Sequence, residues 1–170
     1  TDGALYWAKT HGRNSVARYQ PDLMDVLSAE DRAAQAERAR TLSAVSALAR
    51  AVDAKDATTQ RHSERVSTIA GAIAARLGWT PDRIVALREA ALVHDVGKIG
   101  VPDSVLSKAG QLDDAERAIM QTHPALGAQI VRDVLSDEQT LWVRHHHERW
   151  DGRGYPDQII GEDIPTGALI

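Results

Sequence analysis

No stretch of this chain alternates apolar and polar residues with a period of two. A half-buried strand leaves that signature, so helices must supply the fold. The helical signals are correspondingly dense. Alanine, the best helix former, occurs 27 times and phenylalanine not at all. The expected fold is all-α, with a core of small side chains.

Start and stop signals divide the chain. Ser28 and Asp31 make a capping-box-like start for a long helix over 29–52. Within it Leu42, Val45, Leu48 and Val52 recur at helical spacing and form one apolar stripe. A second helix is expected over 60–77, stopped by Gly78. Thr80-Pro81-Asp82 starts a third, with proline suited to a first turn. It reaches His94 or Asp95, ahead of Gly97 and Gly100. Asp113 and Glu116 open a fourth. Pro124 disfavours helical geometry at His123 and begins a fifth. Ser136 and Gln139 bracket a sixth, ending near Trp150. From Asp151 the string DGRGYPDQIIGEDIP reads as loop, and residues 20–28 read as a linker.

Composition excludes several classes. Lys plus Arg is 20 and Asp plus Glu is 24, a net charge of −4, which argues against a module that grips a nucleic-acid duplex. There is no cysteine, so disulfides, zinc ribbons, iron–sulfur clusters and thiol nucleophiles are out. Its absence suits a reducing cytoplasm, the expected location. No apolar run approaches the ~18 residues of a membrane span, and the stretch TDGALYWAKTHGRN has no apolar leader core.

The chemistry lies in the histidines. Six of the seven invite attention: His62, His94, His123, His145, His146 and His147. Asp95 follows His94 directly. Imidazole and carboxylate are ligands for first-row divalent metals, and the two oxygens of Asp95 can bridge two ions. Histidines from separate helices can converge inside a bundle, where cofactor sites are commonly built. Singly, His62 or His123 reads more readily as a hydrogen-bonded structural histidine. The conjunction within one helical domain points to a metal site. Successive helix residues stand about 100° apart, so His145, His146 and His147 cannot all aim at one point. His145 shares a stripe with Leu141 and Trp142, and His146 and His147 share one with Val143. Periodicity alone does not choose between them.

Lys98 lies three residues after Asp95, on the same side if a helix or tight turn continues. A cation there can hold an anionic oxygen such as that of phosphate. Gly152, Gly154 and Pro156 make a constrained loop after the histidine helix.

The strings HDVGKIGVPDSVL and HHHERWDGRGYP, with KDATTQRHSERV and ERAIMQTHPALGAQI between and before them, resemble the HD-GYP subfamily of the HD phosphohydrolase superfamily. The resemblance covers residues 45–170 and implies an HD-type helical bundle. It implies His62, His94, Asp95, His123, His146 and His147 as metal ligands, with Asp95 bridging. Lys98 would contact the substrate phosphate. Arg153, Gly154, Tyr155 and Pro156 would shape the substrate side of the site. Asp95 and Lys98 are thus the expected catalytic pair. Where some members carry a glutamate for a third metal, this chain has Thr58, so two divalent ions are expected, iron or manganese. The implied reaction is hydrolysis of cyclic di-GMP to pGpG or GMP. Two ions about 3.5–4 Å apart can generate a bridging hydroxide near neutral pH.

The family carries a further aspartate ligand about five residues past the position of Ile170, so the bundle is expected to be incomplete at its C-terminus, with exposed apolar surface there. TDGALYWAKTHGRNSVARY resembles the tail of a GGDEF domain through Asp2, Ala4, Leu5, Tyr6, Ala8, Lys9, Gly12, Arg13 and Asn14. The expected layout is that tail over 1–20, a linker and connector helix over 21–44, and an HD-GYP-like domain over 45–170. Two alternatives stand beside the enzyme. One is an interaction module with impaired catalysis, forming a homodimer through the connector helix. The other is an HD phosphohydrolase acting on a different nucleotide.

Overall fold

A computed structural model describes residues 29–55 and 62–170. The GGDEF-like tail, the 20–28 linker, the Ser28 cap and Thr58 lie outside the described residues. Among the described residues there is no strand. The helices run α1 (Ala29–Lys55), α2 (His62–Arg76), α3 (Pro81–Val93), α4 (Asp103–Leu106), α5 (Asp114–Met120), α6 (His123–Val131), α7 (Asp137–His145) and α8 (Thr166–Leu169). Two 3-10 turns lie at Val96–Gly100 and Gly161–Asp163. The all-α expectation holds.

The chain divides between Ala39 and Arg40. On the N-terminal side the described part is the opening of α1, exposed over 32–39. Arg40–Ile170 carries the core, and its side chains are small. Ala70 and Ala74 of α2 meet Leu87, Ala90 and Ala91 of α3 in one buried cluster. Trp142 of α7, 3% exposed, supplies the bulk that phenylalanine would otherwise give. Burying a side chain the size of Leu87 is worth about 1.5–3 kcal/mol. The stripe on α1 turns inward: Val52 is buried, and Leu42, Val45 and Leu48 lie against the same cluster. That stripe therefore contributes to the chain's own core.

The punctuation works as the sequence implies. Gly78 sits at φ +78°, with Trp79 N–H bonded to Ala74 O at 3.1 Å and Gly78 N–H to Ala75 O at 3.2 Å, a Schellman stop. Thr80 caps α3 by accepting from Arg83 N–H. Asp113 with Glu116, and Ser136 with Gln139, form complete capping boxes.

Several boundaries differ from expectation. α1 runs on to Lys55 instead of stopping at Val52. α3 ends at Val93, before the His-Asp pair. α6 begins at His123 itself, one residue before Pro124. A proline in the first turn loses an amide that has no intrahelical partner anyway, so helical geometry at His123 survives. α7 ends at His145, not near Trp150, and the Val143 carbonyl there accepts from the His146 ring at 2.7 Å. The region after Asp151 is mostly loop but includes the turn at Gly161–Asp163, and α4 and α8 are short helices that no period revealed.

Candidate metal centre

Every histidine of interest sits at a helix end. His62 is the first residue of α2 and His123 the first of α6. His94 follows α3, Asp95 leads the 3-10 turn, and His146 and His147 follow α7. Gly97 fixes how closely that turn meets α6. A Cβ on Gly97 would lie 2.0 Å from the His123 carbonyl oxygen and 2.5 Å from the Gly127 nitrogen. Only glycine lets the two main chains touch there, and that contact sets Asp95 beside His123.

The protons on three imidazoles follow from their partners. Nδ1 of His94 lies 2.7 Å from Ala91 O, Nδ1 of His123 2.8 Å from Met120 O, and Nδ1 of His146 2.7 Å from Val143 O. A carbonyl can only accept, so each Nδ1 carries the hydrogen. Each Nε2 of a neutral ring then presents a lone pair. These lone pairs converge on Asp95, which is 5% exposed. His94 Nε2 is 3.3 Å from Oδ2, and His123 Nε2 is 3.2 Å from Oδ1. His146 Nε2 is 3.8 Å from Oδ1 and 3.3 Å from His123 Nε2.

Such a set asks for a cation. Oδ1 of Asp95 is buried without a hydrogen bond, and with the His123 and His146 rings neutral their Nε2 lone pairs would face it with no proton between them. Two donor groups can hold a metal ion: Asp95, His123, His146 and His147, and His62, His94 and Asp95. Within each group the ligand atoms all lie within 4.8 Å of one another. Asp95 belongs to both. The nitrogen–oxygen donor set suits a first-row divalent ion.

Electrostatics agree. Burial works against charge on Asp95, but contact with His123 and His94 and the Lys98 charge outweigh it. The carboxyl is held well below its usual range. His94 goes up: burial opposes its charge, and Asp95 more than compensates. Burial, then the charges at His94 and His147, push His146 well down. Burial and the charge at His123 push His147 down to about 4. His146 and His147 are thus neutral near pH 7, the form that binds metal.

Lys98 and Asp95 do fall on one side of a tight turn. Nζ bonds Oδ2 at 2.7 Å, and the Lys98 amide bonds Asp95 O at 3.0 Å. Tyr155 stacks on His147, with centroids 4.7 Å apart and 24° between planes, and presents an edge to His123. Burial and the Asp95 charge push its phenol up to about 12. Gly154 is buried, and a cis peptide joins Tyr155 to Pro156. Arg153 is exposed, its amide bonded to Asp151. A cavity of about 430 Å³ touches His94 and His146, walled by Leu87 and Trp142. Lys98 and Tyr155 do not line it.

Sequence reading missed three acidic residues. Asp53 of α1, 6% exposed, accepts the Ser63 amide at 3.3 Å. Glu148, buried, accepts the amides of Asp157 and Gln158. Asp157 receives Arg144 and His145. His145 thus faces the returning loop, apart from the metal ligands proposed below. The signal was available: Glu148 directly follows His147, and Asp157 directly follows Pro156.

Helices that end in imidazoles gathered round one shared, buried aspartate define a His/Asp metal-binding bundle. Over residues 27–170 the chain matches the HD domain family, and it belongs to that family. It is 41% identical over 133 residues to the cyclic di-GMP phosphodiesterase response regulator RpfG of Xanthomonas campestris, covering 74% of this chain and 34% of that protein. It is 43% identical over 128 residues to 3'3'-cGAMP-specific phosphodiesterase 3 of Vibrio cholerae, covering 74% and 28%. It is 40% identical over 119 residues to a cyclic di-GMP phosphodiesterase of Thermotoga maritima, covering 68% and 32%. These relatives accord with the HD-GYP subfamily. The chain spans about a third of their length. No helix among the described residues is long and apolar enough to cross a membrane.

Proposed function

We propose that this HD domain hydrolyses a phosphodiester bond of a cyclic dinucleotide, cyclic di-GMP first, to pGpG or GMP. The observation that carries the reading is that Asp95 is common to both donor groups. His62 and His94 would hold one divalent ion and His123, His146 and His147 the other, with Asp95 available to both. Iron or manganese fits the imidazole–carboxylate set. When bound, two such ions activate water and polarise a phosphoryl oxygen, so no side-chain nucleophile is needed.

The chain's own groups do the rest. Asp95 stays ionised across the neutral range. Lys98 holds a non-bridging phosphate oxygen where negative charge grows. Tyr155 keeps its proton and can donate a hydrogen bond. Gly154, Pro156 and Arg153 shape the substrate side. The catalytic unit is residues 45–170, with residues 21–44 as its linker and connector helix. The names of the relatives, which act on cyclic di-GMP or 3'3'-cGAMP, support the substrate class. A cysteine-free chain suits the cytoplasm, where we place the reaction.

The test is anaerobic loading with Fe(II) or Mn(II), then turnover of cyclic di-GMP and 3'3'-cGAMP beside Asp95→Ala. Turnover lost in the variant is expected, and equal turnover in both proteins would sink the mechanism. Preference for 3'3'-cGAMP would shift the substrate within the same class.

A further inference from the structure

His147 is held differently from its neighbours. His94, His123 and His146 each tie Nδ1 to a main-chain carbonyl. His147 has no such bond among the described residues. Its ring is set by contact alone: against Tyr155, against the His123 ring at 5.1 Å, and against His146 at 4.2 Å. The loop that carries Tyr155 must therefore be fixed by something else.

That loop is clamped at both ends. At its start, a Cβ on Gly154 would lie 2.4 Å from both Glu148 Cα and the Arg149 nitrogen, so the loop rests on the main chain just past His147. The Tyr155 amide bonds His147 O at 3.3 Å. At its end, Oε1 of buried Glu148 accepts the amides of Asp157 at 2.7 Å and Gln158 at 3.0 Å. The Asp157 carboxylate takes Nε and a terminal nitrogen of Arg144 at 2.6 and 2.8 Å. It also lies 2.9 Å from His145 Nε2.

We propose that Glu148 and Asp157 are positioning residues, which fix the His147 imidazole by holding the Tyr155 ring against it. This rests in part on the metal reading above. Partners that orient a ligand typically change metal affinity 10–100-fold when lost. A clamp of this kind acts on one donor group and spares the group of His62, His94 and Asp95.

The experiment has two arms, using wild type, Glu148→Ala, Glu148→Gln, Asp157→Ala and Tyr155→Leu. In the first, Mn(II) is titrated and free ion is followed by electron paramagnetic resonance. Glu148→Ala, Asp157→Ala and Tyr155→Leu should weaken one of two ions about 10–100-fold. Glu148→Gln, which keeps an acceptor oxygen for the two amides, should stay near wild type. In the second arm, the His147 ring protons are followed by NMR without metal. The Tyr155 ring current should displace them in wild type and Glu148→Gln, and the displacement should vanish in the other three. Asp157→Ala leaves Glu148 in place and carries the same expectation should Glu148→Ala not fold. Unchanged Mn(II) binding with an unchanged ring-current shift in both overturns the proposal. So does equal weakening of both ions, which marks general loosening. A wild-type chain that takes up no Mn(II) overturns the two-metal reading instead, and the NMR arm then decides the positioning alone.

Discussion

Asp53, near the end of α1, accepts the main-chain amide of Ser63, the residue after His62. One buried carboxylate thus ties the long first helix to the amino end of the helix that presents a candidate ligand. Asp53→Ala should lower stability by about 1 kcal/mol, the usual effect of losing a cap, and weaken one ion. Asp53→Asn, which keeps an acceptor, should retain most of both. Thermal unfolding and Mn(II) titration read the two effects; a neutral alanine variant would disconnect α1 from the site.

The metal-free protein should lose stability in mild acid. In the unfolded chain His146 and His147 take up protons near their ordinary value of about 6.5. In the fold both resist, His147 down to about 4. Below about 6.5 the unfolded state therefore binds more protons, so stability falls as pH drops. His94, shifted up, acts the other way, with its contribution lost as pH rises through its folded value. Two lowered rings against one raised leave a net decline from about pH 6.5 towards 4. Urea unfolding at pH 7, 6 and 5 measures it, and a flat profile would contradict the buried neutral rings.

Gly97→Ala should be severe. The new methyl meets main-chain atoms of His123 and Gly127 that cannot turn aside. Overfilling of this kind costs about 1–3 kcal/mol or more, and it should separate Asp95 from His123. Gly100→Ala is the comparison, since its methyl meets only the Leu126 side chain. Denaturant midpoints should rank wild type, Gly100→Ala, then Gly97→Ala.

Lys98→Ala should divide binding from chemistry. Mn(II) uptake is expected to persist, because Lys98 donates no metal ligand. Turnover should drop about 10²–10³-fold, the usual loss when a donor to a developing oxyanion is removed. Full turnover without Lys98 would move the phosphate contact to another residue.

Much of this was legible because the signals are local. The capping boxes at Asp113 and Ser136 and the stop at Gly78 are read within four residues. His62, His94, Asp95, His123, His146 and His147 come together as their motifs suggested. What escaped depends on distance. Asp53 meets Ser63 only when α1 folds back on α2, and Asp157 meets Arg144 across 13 residues. The early end of α7 escaped for another reason. A ring bonded to a carbonyl leaves no mark in a hydrophobic period.

That pairing of ring and carbonyl recurs at three helix ends. A helix continuing past Ala91, Met120 or Val143 would offer those carbonyls to the amides of Asp95, Pro124 and His147. Pro124 has no hydrogen to give. In each case an imidazole three residues on takes the carbonyl, and by doing so turns its other nitrogen toward Asp95. The helix end and the aim of the ring thus coincide at all three sites. A substitution that lets any of these helices run one turn further would blind that histidine without touching it, so the reach of the site is written in where three helices are made to stop.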